Sequence, residues 1–389
     1  MINKQYKKSL TIALAILFFL FFSQIQAHAQ GTQKKALPAL PLLLLSETPP
    51  PPPPQPNIAF VTSLTYNGNL GGLAGADGIC QSRATAAGLP ANTYKAWLSS
   101  SAEHAIDRLG AARGWVRVDG KPFADTKADI VAGKIFHPLR VDENGNFDNN
   151  IWGSSVWTGT KPDGTVHPTG TCNNWNSPDA GLEGTDGHDD GVSVAFTSTG
   201  ASSCDSTSRL YCFGVNNNVP VTVNSVAGRK AFITMDAWIP SGGLESADHL
   251  CATEASNAGL RVPFKALLAI NGATAASRFA TSFELPWVRP DGVAIAPTAA
   301  GLFSADFINT GIAQSADGLQ YLGYYWVWTG AQDPTTAGTL GTTCNNWGSA
   351  GSADYAYTGN SGLTYQRNFF GRLQERCNAT YIHLYCLQE

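Results

Sequence analysis

Between residues 183 and 190 the chain gathers Glu183, Asp186, His188, Asp189 and Asp190. Carboxylates and an imidazole at this density are donors that a divalent cation takes, and they could equally engage a polar ligand. A solvated acidic loop is the commoner use of such a segment. A second stretch, Asp142-Glu143-Asn144-Gly145-Asn146-Phe147-Asp148, sets oxygens at alternate positions as calcium loops do, but lacks the bidentate glutamate that closes an EF-hand. Its Asn-Gly step favours a turn between strands. No cofactor is expected; calcium is the ion these loops would suit, and whether any metal binds is left open.

The cysteines are the other reactive set. Cys80, Cys172, Cys204 and Cys212 are spaced 92, 32 and 8 apart, and Cys251, Cys344, Cys377 and Cys386 are spaced 93, 33 and 9. No pair stands at the two-to-four-residue interval of structural zinc sites, so disulfides are expected, with three pairings open in each set.

The agreement of the two sets marks an internal duplication. Gly71-Gly72-Leu73 answers Gly242-Gly243-Leu244, Trp115-Val116-Arg117 answers Trp287-Val288-Arg289, and Val156-Trp157-Thr158-Gly159 answers Val327-Trp328-Thr329-Gly330. Thr171-Cys172-Asn173-Asn174-Trp175 answers Thr343-Cys344-Asn345-Asn346-Trp347, and Leu210-Tyr211-Cys212 answers Leu384-Tyr385-Cys386. Shared tryptophans are usually core. Trp175 and Trp347, beside their asparagine pairs, remain candidate aromatic contacts for a sugar ring.

Hydrolysis would need a nucleophile, a base and an orienting group. His104, His137, His167 and His188 of the first copy have no counterparts in the second, which carries His249 and His383. No catalytic residue is therefore assigned, and an enzyme is not expected.

These residues must be held by few regular elements. Ala76, Cys80, Ala84 and Ala87 form one apolar stripe of a helix, stopped by Gly88 in the place where a left-handed cap wants glycine. Phe60–Ser63, Tyr94–Leu98 and Arg209–Phe213 read as strands, and residues 120 to 150 and 160 to 205 as turn-rich loops.

Composition suits a loop-rich extracellular protein better than a helical cytosolic enzyme. Charged residues are only 14%, against a usual quarter or so. Residues 1–29 read as a signal peptide: Lys4, Lys7 and Lys8, an apolar run from Leu10 to Phe22, and a small-residue cleavage site at Ala27-His28-Ala29. Residues 30–56 read as a proline-rich linker, with Pro49 to Pro54 extended. No membrane span is expected in the mature chain. From residue 57 onward 20 basic residues face 28 acidic ones, a net charge of −8 that argues against nucleic acid as a partner.

The run Gly72-Leu73-Ala74-Gly75-Ala76-Asp77, Cys80, Ala87-Gly88-Leu89 and Tyr94-Lys95-Ala96-Trp97-Leu98-Ser99-Ser100 is similar to the opening of endostatin. So is Val156-Trp157-Thr158-Gly159-Thr160-Lys161-Pro162-Asp163-Gly164 with Cys172, Trp175, Cys204 and Leu210-Tyr211-Cys212. The chain also resembles bacterial exported proteins of unassigned function that carry such a domain. The resemblance implies an α+β, C-type-lectin-like fold in tandem, residues 57–214 and 229–389, each with a twisted, mostly antiparallel sheet, one or two helices and two disulfides. It further implies nested pairs, Cys80 to Cys212 and Cys172 to Cys204, then Cys251 to Cys386 and Cys344 to Cys377. The sugar-binding triplets of calcium-dependent lectins, the N-terminal zinc histidines of endostatin and its heparin-binding arginines have no counterparts here.

The resulting expectation is a secreted or surface-associated module that binds an extracellular macromolecule or carbohydrate without catalysis. The alternatives are a structural envelope-interaction protein without a soluble ligand, and an unrecognised hydrolase. Recognition is expected where the copies differ, in residues 120 to 150 and 176 to 200.

Overall fold

Glycine punctuation and short β-branched or aromatic runs make short strands, and the one long amphipathic stretch of each copy makes its one long helix. In the computed structural model, residues 53–389 are described except 149, 151, 152, 283 and 284; the expected signal peptide and all but the end of the linker lie outside them. The first copy contains strands β1 (Asn57–Val61), β2 (Tyr94–Ala96), β3 (Trp115–Val116), β4 (Pro122–Ala124), β5 (Ser155–Trp157), β6 (Glu183–His188), β7 (Gly200–Ser203) and β8 (Arg209–Gly214). Its long helix is α1 (Gly72–Ala86). The second contains β9 (Arg229–Ile233), β10 (Phe264–Ala266), β11 (Trp287–Val288), β12 (Trp326–Trp328), β13 (Tyr355–Asn360), β14 (Leu373–Arg376) and β15 (Tyr385–Gln388), with α2 (Gly243–Asn257) as its long helix. The remaining helical segments are single turns. The fold is mixed α+β, with few helices and several sheets.

The last strand of each copy is its hub. In the first, β8 lies antiparallel to β1 and β2, with Cys212 opposite both Phe60 and Ala96, and parallel to β5. The sheet continues through β6 to β7 on one side and through β1 and β3 to β4 on the other. The second copy repeats the plan: Cys386 of β15 stands opposite Phe232 of β9 and Ala266 of β10. There β12, β13 and β14 form a sheet of their own, joined to the hub by a single bridge from Val327 to His383.

α1 presents Ala76, Cys80 and Ala84 to the sheet, and α2 presents Ala247, Cys251 and Ala255. Small side chains let each helix sit close, and a cystine closes each contact. Cys80 joins Cys212 and Cys251 joins Cys386, tying helix to hub strand. Cys172 joins Cys204 and Cys344 joins Cys377, inside the first pair. All eight cysteines are consumed. Among the described residues no helix is long and apolar enough to cross a membrane.

Each copy has a core on both sheet faces. Beneath α1 lie Phe60, Leu98, Trp157, Trp175 and Leu210; on the far face lie Trp97, Trp115, Phe123, Phe196, Tyr211 and Phe213. Ala313 of the second copy joins the latter cluster, and residues 53–389 form one compact unit. The copies meet through Val192, whose amide donates to the Gly362 carbonyl at 2.7 Å, and through Arg289, whose Nη1 donates to the Ile135 carbonyl at 3.0 Å. The guanidinium of Arg140 lies 3.4 Å from the ring centre of Phe307, itself stacked on Phe147.

Candidate functional site

Burial divides the acidic segment, β6 running from an exposed first residue into the interior. Glu183 is exposed at its start, whereas Asp186 is buried, its Oδ2 accepting from Ser202 Oγ at 2.6 Å. Burial holds the Asp186 carboxyl above the usual range, against the partial relief of Ser202 and His188. Beyond β6 the chain turns inward, and Asp189 and Asp190 are both fully buried.

Asp190 is a clasp between the copies. Its Oδ1 pairs with His188 Nδ1, and its Oδ2 accepts from the amides of Thr364 and Tyr365, each at 2.9 Å. The Tyr365 hydroxyl returns the contact by donating to the Asp148 carbonyl at 2.6 Å. Burial opposes ionisation of Asp190, but His188 and the two amides more than offset it, and its carboxyl sits below the ordinary range. Burial likewise opposes charge on His188, yet the Asp190 carboxylate raises it above the ordinary histidine value.

Asp189 behaves oppositely. Its Oδ1 accepts from the Ser154 amide at 2.7 Å while its carboxyl faces that of Asp148. Burial first, and the neighbouring Asp148 charge second, raise it well above the usual range. Asp189 Oδ2 is buried without a hydrogen-bond partner; a proton on it would supply the donor that two facing carboxylates lack. The Asp148 carboxyl is kept below the ordinary range, despite burial, by Asp189, Ser154 and Arg209.

Donor atoms of His188, Asp189 and Asp190 lie within 4.8 Å of one another. Gathering them around a cation would take from Asp190 an imidazole and two amides. The donor set therefore fits an internal clasp better than a metal. The 142–148 segment is equally self-satisfied: Asp142 Oδ1 accepts from the amides of Asn144 and Asn146 at 2.8 and 2.9 Å, which closes a turn. Glu143 points elsewhere, to Arg83 and Ser63.

Trp175 and Trp347, named above as candidate aromatic contacts, are wholly buried, which keeps both rings from a surface ligand. Their indoles donate to the carbonyls of Ser99 and Ala269, each at 2.8 Å. Both sit in one turn of left-handed backbone, with φ of 46°, 54°, 55° and 65° over Cys172 to Trp175 and nearly the same over Cys344 to Trp347. Asparagine tolerates this region better than most residues, so the Asn-Asn pair before each tryptophan was a readable signal for the turn. The ring then lies against Gly159 or Gly330, where a Cβ would come within 2.7 or 2.8 Å of it.

The loop expected to recognise a ligand is exposed over residues 176–183 and at Gly200, and largely buried between. What the sequence reading missed is on β13 and β14. Tyr355 stands opposite Arg376 and Tyr357 opposite Gln374, and their side chains share the outward face, since Ala356 between the tyrosines is buried. Arg376 lies 5.6 Å from the Tyr355 ring centre, and Gln332 Nε2 donates to the Tyr357 hydroxyl at 2.9 Å. The matching places on β6 and β7 carry Glu183, Thr185, Ala201 and Ser203.

Residues 63–191 match the sequence profile of a family described as "Protein of unknown function (DUF1554)". The match covers most of the first copy, including the Asp190 turn, and stops before Cys204. No curated protein matches the chain.

Proposed function

We propose that the chain is an exported, non-catalytic binding module of two endostatin-like, C-type-lectin-like domains fused into one unit, and that it recognises an extracellular macromolecule or glycan. The observation that carries this reading is the outward face of β13 and β14, where Tyr355 and Tyr357 with Gln374 and Arg376 replace the small or acidic residues of the first copy. Tyrosine and arginine are the side chains enriched where binding energy concentrates, because each offers apolar area with a polar end. Four disulfides suit an oxidising, extracellular compartment. The nested cystines, the helix beneath the hub strand and the repeated strand order are what support the lectin-like assignment.

The acidic segment takes the place of a clasp in this reading, so deletion of residues 176 to 200 would remove the copy interface along with any ligand contact. The sharper test is Tyr355→Ala with Tyr357→Ala, two surface changes, on the secreted chain applied to glycan and matrix-protein arrays. Specific signals that fall at least about tenfold in the double variant are expected, roughly 1.4 kcal/mol. A flat array with tight association to envelope fractions would favour the structural alternative instead.

A further inference from the structure

The two copies share a backbone frame around the start of their long helices' last turns, but fill it differently. In the first, Glu143 accepts from the Ser63 amide at 2.9 Å and from Ser63 Oγ at 2.6 Å, and the Arg83 guanidinium of α1 closes on it, Nε to Oε1 at 2.7 Å. In the second, Glu254 of α2 stands at the place of Arg83 and Ala316 at the place of Glu143. Much of the backbone frame is kept: the Ile233 amide donates to the Gln314 carbonyl as Val61 does to Val141, and Gly318 closes on Ser315 as Gly145 does on Asp142, although the turn is one residue longer, Ser315 donating to Gln320 where Asp142 donates to Asn146. Glu254 now holds the equivalent amides, Met235 at 2.8 Å and Asp236 at 3.0 Å. A carboxylate is thus retained at the same amide while its guanidinium is gone.

The vacated space is an open cavity of about 240 Å³ between Met235, Asp236, Glu254, Asn257, Ser315 and Asp317. Burial raises Glu254, its two amides pull it back, and the charges of Asp236 and Asp317 push it above the ordinary range; burial also opposes the charge on Glu143, but the Ser63 hydroxyl, backbone amides and then Arg83 hold it below. Met235 is about half exposed at the rim, an apolar surface for an aliphatic stem.

We infer that this pocket takes the arginine side chain of a protein partner, its guanidinium pairing with the amide-bound carboxylate of Glu254 as Arg83 pairs with that of Glu143 in the first copy. The inference rests on the reading of the chain as a binding module and adds a contact class to it. The internal copy supplies the occupant: the same frame already holds a guanidinium against a carboxylate bound to the equivalent amide.

The test uses the secreted chain and a short blocked peptide with one central arginine, against its uncharged citrulline isostere, followed by amide shifts in NMR. Millimolar binding of the arginine peptide, at least about tenfold tighter than the isostere and centred on Met235, Glu254 and Asp317, is expected for a charge-assisted contact. Glu254→Arg with Ala316→Glu rebuilds the ion pair of the first copy, so this variant should fold and lose the peptide. Equal binding of the isostere, undiminished binding by the rebuilt variant, no binding by the native chain, or displacement of the peptide by calcium ion alone would each overturn the proposal. None of these outcomes touches array binding through Tyr355 and Tyr357, so the two readings fail separately.

Discussion

An Asp189 carboxyl raised by burial and a charge held between His188 and Asp190 give this cluster opposing pH dependences. His188 keeps its proton to higher pH folded than unfolded, so its contribution is full below about pH 6.5 and lost as pH rises through the folded value. Asp190, lowered on folding, contributes above about pH 4 and is lost on acidification. Asp189, raised on folding, contributes fully at acid pH, and its share declines from about pH 4 upward. Asp189→Asn retains an acceptor for Ser154 and offers Asp148 an amide donor without a titrating proton. Urea midpoints should put this variant above the native chain at pH 8, by about 1 kcal/mol, and level with it near pH 4. A variant less stable than the native chain at pH 8 would show that the proton is not there. The sequence displayed Asp189 and Asp190 as polar residues in a loop, the ordinary description of a solvated segment. It could not display that the second copy brings the amides of Thr364 and Tyr365 to them, because those donors are backbone and carry no residue signature.

At the scale of elements, the duplicated cysteine spacing and the small-residue stripe were legible from the residues themselves, whereas spacing left three pairings open in each set and the nested one came with the resemblance. The helix expected around Ala76 to Ala87 runs from Gly72 to Ala86, with Gly88 beyond it at φ 67°. The strands read at Phe60–Ser63 and Tyr94–Leu98 are Asn57–Val61 and Tyr94–Ala96. The short strands β6 and β7 were not legible: Glu183-Gly184-Thr185-Asp186-Gly187-His188 has no apolar alternation, and neighbouring chain rather than propensity makes it extended. The nested cystines differ in the chain they close, 132 residues against 32 in the first copy. Loop entropy then assigns about 5 kcal/mol to the outer bond and about 3.5 to 4 to the inner one. Replacing Cys80 and Cys212 by alanine should therefore lower stability more than replacing Cys172 and Cys204, read by urea unfolding of the two double variants. An equal or reversed order would mean that the inner turn and its tryptophan matter more than chain closure.

At the scale of the molecule, duplication was visible from the cysteines, but fusion of the copies was not. Val192, Ala313, Gly362 and the Asp190 clasp make the first copy's far face a shared interior. The full chain should therefore unfold in one calorimetric transition. Asp190→Ala leaves two buried amides and His188 without their acceptor, a loss of roughly 3 kcal/mol concentrated at the junction. Its expected outcome is separation into two transitions; a single transition at lower temperature would instead place the cooperativity in the apolar contacts.

The tie from helix to hub strand also governs how the chain bears load. In each copy, pulling apart the ends draws on β1 and β8, or β9 and β15, as neighbouring antiparallel strands. The covalent bonds from Cys80 to Cys212 and from Cys251 to Cys386 shunt tension past everything between them. Under a pull on the two ends of residues 57–389, only residues 57–79, 213–250 and 387–389 can lengthen, so the chain would yield by a fixed extension and then hold, with the outward face of β13 and β14 still folded.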